Sequence, residues 1–90
     1  MMLRSRSMKS QNVVGAQIRK LRFQQQLTQE MLTARCRALG WDLSRGTLAK
    51  IEAQVRRVTD RELWYLGRAL RVTLKDLFPR KVTPPTTIER

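Results

Sequence analysis

Ninety residues, 41% hydrophobic and 29% charged, allow one small globular domain with a thin core. Nineteen Lys and Arg against seven Asp and Glu give a net charge of +12, which points to a polyanionic partner, nucleic acid ahead of an anionic membrane surface. One cysteine and no histidine leave no internal disulfide, no metal-ligand cluster and no nucleophile–base pair, so an enzyme, a metal site or a cofactor is not expected.

In chain order, residues 1–11 (MMLRSRSMKSQ) are basic and aperiodic and are read as a flexible arm. They lack an apolar stretch of signal-peptide length, and the cytoplasm is the expected location. From Asn12, a plausible N-cap, Val14, Ile18 and Leu21 mark one stripe of a first helix. Gln24 to Leu27 break that pattern. Thr28 then caps a second helix with Gln29 and Glu30 in its first turn, Leu32, Cys36 and Leu39 as its buried stripe, and Gly40 as its stop. Cys36 is expected to be a small core residue.

Ser44 caps a third helix over 44–54, with Leu48, Ile51 and Val55 facing inward. Thr59-Asp-Arg-Glu62 has the capping-box pattern and opens a fourth helix carrying Leu63, Leu66 and Leu70. Thr73 and Asp76 repeat the box ahead of a short fifth helix with Leu74, Leu77 and Phe78, ended by Pro79. Residues 79–90 hold two adjacent prolines and no periodicity, and are read as an unstructured tail. No stretch alternates as a strand does, so the expected fold is an all-α bundle of five short helices over 12–78. No run reaches the ~18 apolar residues of a membrane span, and no helix sets a continuous basic face against a strongly apolar one.

The segment 44–58 carries a net +3, from Arg45, Lys50, Arg56 and Arg57 against Glu52. Within it, SRGTLAKIE and the alanine after it keep one greasy side while the other holds only Gly46, Ala49, Lys50 and Ala53. Glycine costs a helix about 1 kcal/mol against alanine. A side cleared of bulk makes room for something large to press against it.

IRKLRFQQQLTQEML, LSRGTLAKIE and VTDRELWYLGRALRVTLKDLF together resemble the phage-repressor-like (Cro/XRE-type) helix-turn-helix family, over roughly residues 13–78. The resemblance implies a lambda-repressor-like domain whose third helix enters the major groove of double-stranded DNA. It implies base contacts by Arg45, Gly46, Ala49 and Lys50, and backbone contacts by Thr28, Gln29, Ser44, Thr47, Arg56 and Arg57. In the family the glutamine matching Gln29 also braces the groove-facing residues. Arg22 and Glu52 match a structural ion pair between the first and third helices. Lys20 and the arm residues Arg4, Arg6 and Lys9 are weaker candidates for the nucleic acid. Two features depart from the pattern: Thr33 replaces the usual alanine where the helices touch, and ARCRALGWDLS makes a longer link, which Trp41 is expected to plug.

The implied function is a sequence-specific transcriptional regulator, with repression the expected role. It would act as a homodimer in which Trp64, Tyr65, Leu74 and Phe78 are candidate dimer contacts. The alternative is an antitoxin-like or adaptor module that keeps the fold but grips a protein, a toxin or another regulator.

Overall fold

The computed structural model describes residues 10–80. Among these no strand forms, and five helices follow in order: α1 Gly15–Gln24, α2 Gln29–Leu39, α3 Arg45–Glu52, α4 Asp60–Leu70 and α5 Leu74–Leu77. Most of the arm, including Arg4, Arg6 and Lys9, and nearly all of the tail lie outside the described residues.

Local chemistry sets most helix ends. The hydroxyls of Thr28, Ser44, Thr59 and Thr73 each accept the backbone N–H three residues on, satisfying donors that a first helical turn leaves unpaired. In α4 and α5 the boxes close: Glu62 accepts from the Thr59 N–H at 3.0 Å and Asp76 from the Thr73 N–H at 3.1 Å. Asn12 caps α1 from farther out, its Oδ1 accepting from the Gly15 N–H at 2.7 Å and the Val14 N–H at 3.1 Å. Gly40 ends α2 at φ 113°, a left-handed turn that glycine adopts without a Cβ penalty. The carbonyls at the C-terminal end of α4 are met from elsewhere in the chain: Arg35 Nη1 donates to Ala69 O at 3.0 Å and Gln25 Nε2 to Leu70 O at 2.7 Å.

Ile18, Leu32, Cys36, Leu48, Ile51, Leu66, Leu70 and Leu77 form a continuous buried core. Burial pushes the Cys36 thiol up to about 11, so it stays protonated and packs as a hydrophobe. Leu27 and Leu43, both in links, are buried as well. Thr33 fits at the helix contact because its hydroxyl donates back to Glu30 O at 2.9 Å. Trp41 is half-buried against the core, its ring 5.8 Å from that of Tyr65.

Several sequence expectations shift. Leu39, expected in the buried stripe of α2, ends it facing solvent. Around α5 Leu77 is buried, while Leu74 and Phe78 are exposed. α3 stops at Glu52 rather than 54: Gln54 takes φ 65°, which turns the chain off the helix and leaves Val55 64% exposed instead of buried. Gln11, assigned by sequence to the arm, donates its N–H to Gln54 O at 2.8 Å.

The link after α3 is held by Arg56, which grips Glu62 with both ends of its guanidinium at 2.9 and 3.1 Å. Arg56, with help from the Thr59 N–H and against some burial, holds the Glu62 carboxyl below its usual range. A lowered folded value means stability that is complete above the ordinary carboxylate value, about 4.3, and is lost as pH falls through the folded one. Thermal melts between pH 3 and 7 should therefore show Glu62→Gln less stable than wild type near neutrality, with the gap closing in acid.

Candidate nucleic-acid interface

α3 packs its Leu48 and Ile51 against α1 and α2 and leaves its far side open. Ser44 fixes its start, accepting the Thr47 N–H at 3.1 Å while its own hydroxyl donates to Thr47 Oγ1 at 3.0 Å. The open side brings Arg45, Gly46 and Lys50 together as exposed residues, with Ala49 and Thr47 half-buried beside them. A methyl group placed on Gly46 would meet no atom within 4 Å. No part of residues 10–80 covers this surface. Two cations and a bare backbone on one helix can donate to purine acceptors and approach closely, chemistry that suits a groove floor.

The rear of the helix is tied down. Arg22, in α1, meets Glu52 with Nε to Oε2 at 2.7 Å and Nη2 to Oε1 at 2.9 Å, both residues being buried. Arg22 Nη1 also donates to Leu27 O at 2.9 Å, and Gln29 Nε2 donates to Glu52 Oε1 at 3.1 Å. Phe23 covers the guanidinium, its ring centre 4.8 Å from Cζ. No buried side-chain nitrogen or oxygen among the described residues lacks a partner. The pair is thus fully satisfied, as a buried ion pair must be to persist. Gln29 supports α3 through Glu52 at its inner end, and not through the groove-facing residues that the resemblance implies.

Thr28 is exposed at the start of α2, and with Gln29, Glu30 and Arg45 it lines a shallow recess between the starts of α2 and α3. The free N–H groups of α2 and its dipole favour an anion at that end. Arg57 is exposed and in no ion pair among the described residues. Arg56 differs from expectation because its charge is engaged by Glu62, and its Nη1 also donates to Arg57 O at 2.9 Å. Lys20 falls elsewhere, lining a groove with Lys75, Phe78 and Arg80 beside α5.

The four candidate dimer residues do not form one patch. Trp64 is 49% exposed, with the Arg68 guanidinium 5.3 Å from its ring centre. Leu74 lies near Gly67, one turn beyond Trp64. Tyr65 is half-buried between Trp41 and Trp64. Phe78 borders a different groove, with Val13, Val58 and Leu63. Sequence reasoning missed Gly15, whose Cβ position would lie 2.1 Å from Ile51 O, so α1 presses its backbone directly on the end of α3. A glycine near a helix start was the available signal.

No protein-family model matches the chain, and no curated protein does. Among solved structures the fold is similar to the restriction-modification controller protein C.AhdI from Aeromonas hydrophila, with a TM-score of 0.64 and 28% identity over 72% of this chain and 91% of that one. Helix order, the capped second and third helices, and this likeness together show an all-helical, lambda-repressor-like helix-turn-helix fold, similar to that of phage-repressor-like (Cro/XRE-type) proteins.

Proposed function

We propose that the protein binds duplex DNA sequence-specifically through the open side of α3 and regulates transcription, as a repressor. The observation that carries this reading is the uncovered Arg45–Gly46–Lys50 surface, mounted on a helix whose inner side is locked by a buried, fully bonded ion pair. Its likeness to C.AhdI, a controller protein, supports a regulatory role. In this reading Arg45 and Lys50 donate to base edges, while Gly46 and Ala49 let the backbone approach. Thr28, Gln29, Ser44, Thr47 and Arg57 line the phosphates, and Arg56 acts by holding the link through Glu62 more than as a free cation. Selection from randomised duplex DNA tests the reading: an enriched motif is expected, and no enrichment would sink it. Binding should weaken with salt at a log–log slope of about −0.9 per phosphate neutralised.

Gly46→Ala provides a sharper check. In open space the methyl should stabilise α3 by about 1 kcal/mol. If bases approach there, affinity for the selected site should fall although the protein melts higher. Higher stability with unchanged affinity would mean that the groove floor lies elsewhere.

In this reading the protein acts as two copies joined around Trp64 and Leu74, with Tyr65 behind Trp64 and Phe78 on a separate groove outside that joint, reading half-sites ~34 Å apart. Sedimentation on and off the selected DNA is expected to show dimers; a strict monomer in both states would remove this part. A second reading, a module that grips another protein, is favoured by the exposed, Arg68-stacked Trp64. It expects Trp64→Ala to abolish a partner interaction while DNA selection is unaltered.

A further inference from the structure

Near the end of α3, the side chains of Asn12 and Gln54 each bond the backbone of the other's segment. Asn12, besides capping α1, donates its Nδ2 to Ile51 O at 3.2 Å and to Arg56 O at 2.7 Å. Those carbonyls lie in the last turn of α3 and just beyond it. Gln54 returns the contact, its Nε2 donating to Asn12 O at 3.0 Å, and Gln54 O accepts the Gln11 N–H at 2.8 Å. Beneath this clasp, the backbone of Gly15 touches that of Ile51 with no room for a Cβ.

Gln54 makes these bonds from φ 65°, a left-handed conformation that glycine adopts freely and glutamine rarely. A residue held against its backbone preference is a reason to ask what its side chain does there. Here the amide is spent on Asn12. The Arg22–Glu52 pair holds α3 at one point near its end. Leu48 and Ile51 seat the inner side of α3, and the clasp adds a hold past the end of the helix that resists tilting on that seat. α3 has eight residues, about 12 Å. A 10° tilt about Glu52 would move Arg45 by about 2 Å, enough to break a hydrogen bond to a base edge, which tolerates displacements of about 0.5 Å.

We infer that the clasp between Asn12 and the Ile51–Arg56 segment, closed by Gln54, sets the direction of α3 and makes Asn12 and Gln54 positioning residues for base readout. This inference rests on the proposed DNA-binding role. Its test is Gln54→Gly, which keeps the turn, removes the unfavourable backbone state and deletes the clasp amide. Stability should hold or rise, as should affinity for random duplex DNA. The ratio of selected-site to random-DNA affinity should fall about fivefold, the worth of one net hydrogen bond. A merely structural role predicts the reverse pattern, with stability lowered and the ratio intact.

Asn12→Asp gives an independent reading, because its carboxylate still caps α1 but presents no donor to Ile51 O and Arg56 O. The same fall in ratio is expected, and Gln54→Gly decides alone if this variant does not fold. A Gln54→Gly protein as stable as wild type with a ratio within about twofold of it would overturn the clasp. Wild-type protein that fails to prefer any duplex would overturn the DNA-binding reading first, and the clasp's role with it; the two failures appear in different samples.

Discussion

Glu52→Ala should lower the thermal midpoint by roughly 20 °C. Removing one partner of a buried ion pair costs about 3–5 kcal/mol, and in a domain of this size each kcal/mol moves the midpoint by about 4–8 °C. The cost is high because Arg22 would stay buried with only Leu27 O as an acceptor, and Gln29 would lose its partner too. A paired replacement, Arg22→Met with Glu52→Leu, leaves no uncompensated charge and should be far less destabilised, since apolar substitutes for a buried pair are often neutral. Yet it discards the bidentate geometry that fixes α3 against α1. Such a protein should fold well and select its site less sharply. Circular-dichroism melts of the single and double variants check the first half, and competition between selected and random duplexes checks the second. A Glu52→Ala midpoint within a few degrees of wild type would show that the pair does not hold the fold.

Arg45→Ala is expected to weaken binding to the selected site about 5- to 150-fold, the equivalent of about 1–3 kcal/mol for a bidentate arginine–guanine contact. Arg45 is exposed at the first position of α3, so its loss should leave stability nearly unchanged. The loss should concentrate at the base pair that Arg45 touches, which a repeated selection with the variant would show as a relaxed position. Lys50→Ala should cost less, because an ammonium is a point charge that cannot match two acceptors in a plane. Arg57→Ala should behave differently again, weakening all duplexes alike and reducing the salt slope by about one. If Arg45→Ala weakened every sequence equally, Arg45 would be a phosphate ligand, and base readout would have to be assigned to other residues.

Much of the architecture was legible because its signals are local. Thr28, Ser44, Thr59 and Thr73 cap helices by reaching three residues ahead, and Gly40 ends one through its own backbone freedom. Such choices are settled within a turn, so the letters suffice. The stripe of Leu48 and Ile51 and the bare side of Gly46 follow from helical periodicity for the same reason. Arg22 with Glu52 came from family resemblance and not from periodicity, since nothing local joins residues 30 apart.

What the letters left open lies where one segment meets another. Val55 extends the apolar period of α3, yet it faces water because Gln54 turns left-handed, a turn closed by the Val55 N–H on Lys50 O and braced by Asn12, 42 positions away. Arg56 reads as a free cation near DNA until the bend after α3 sets it beside Glu62. Leu27 and Leu43 sit in links where no period assigns a face, and only the closure of the bundle buries them. Composition, caps and spacing were enough to establish five helices and a basic, open surface on α3, because each rests on neighbours in the chain. The angle of that surface depends on hydrogen bonds that span 30 to 44 positions, and a bond of that reach exists only after the helices have packed.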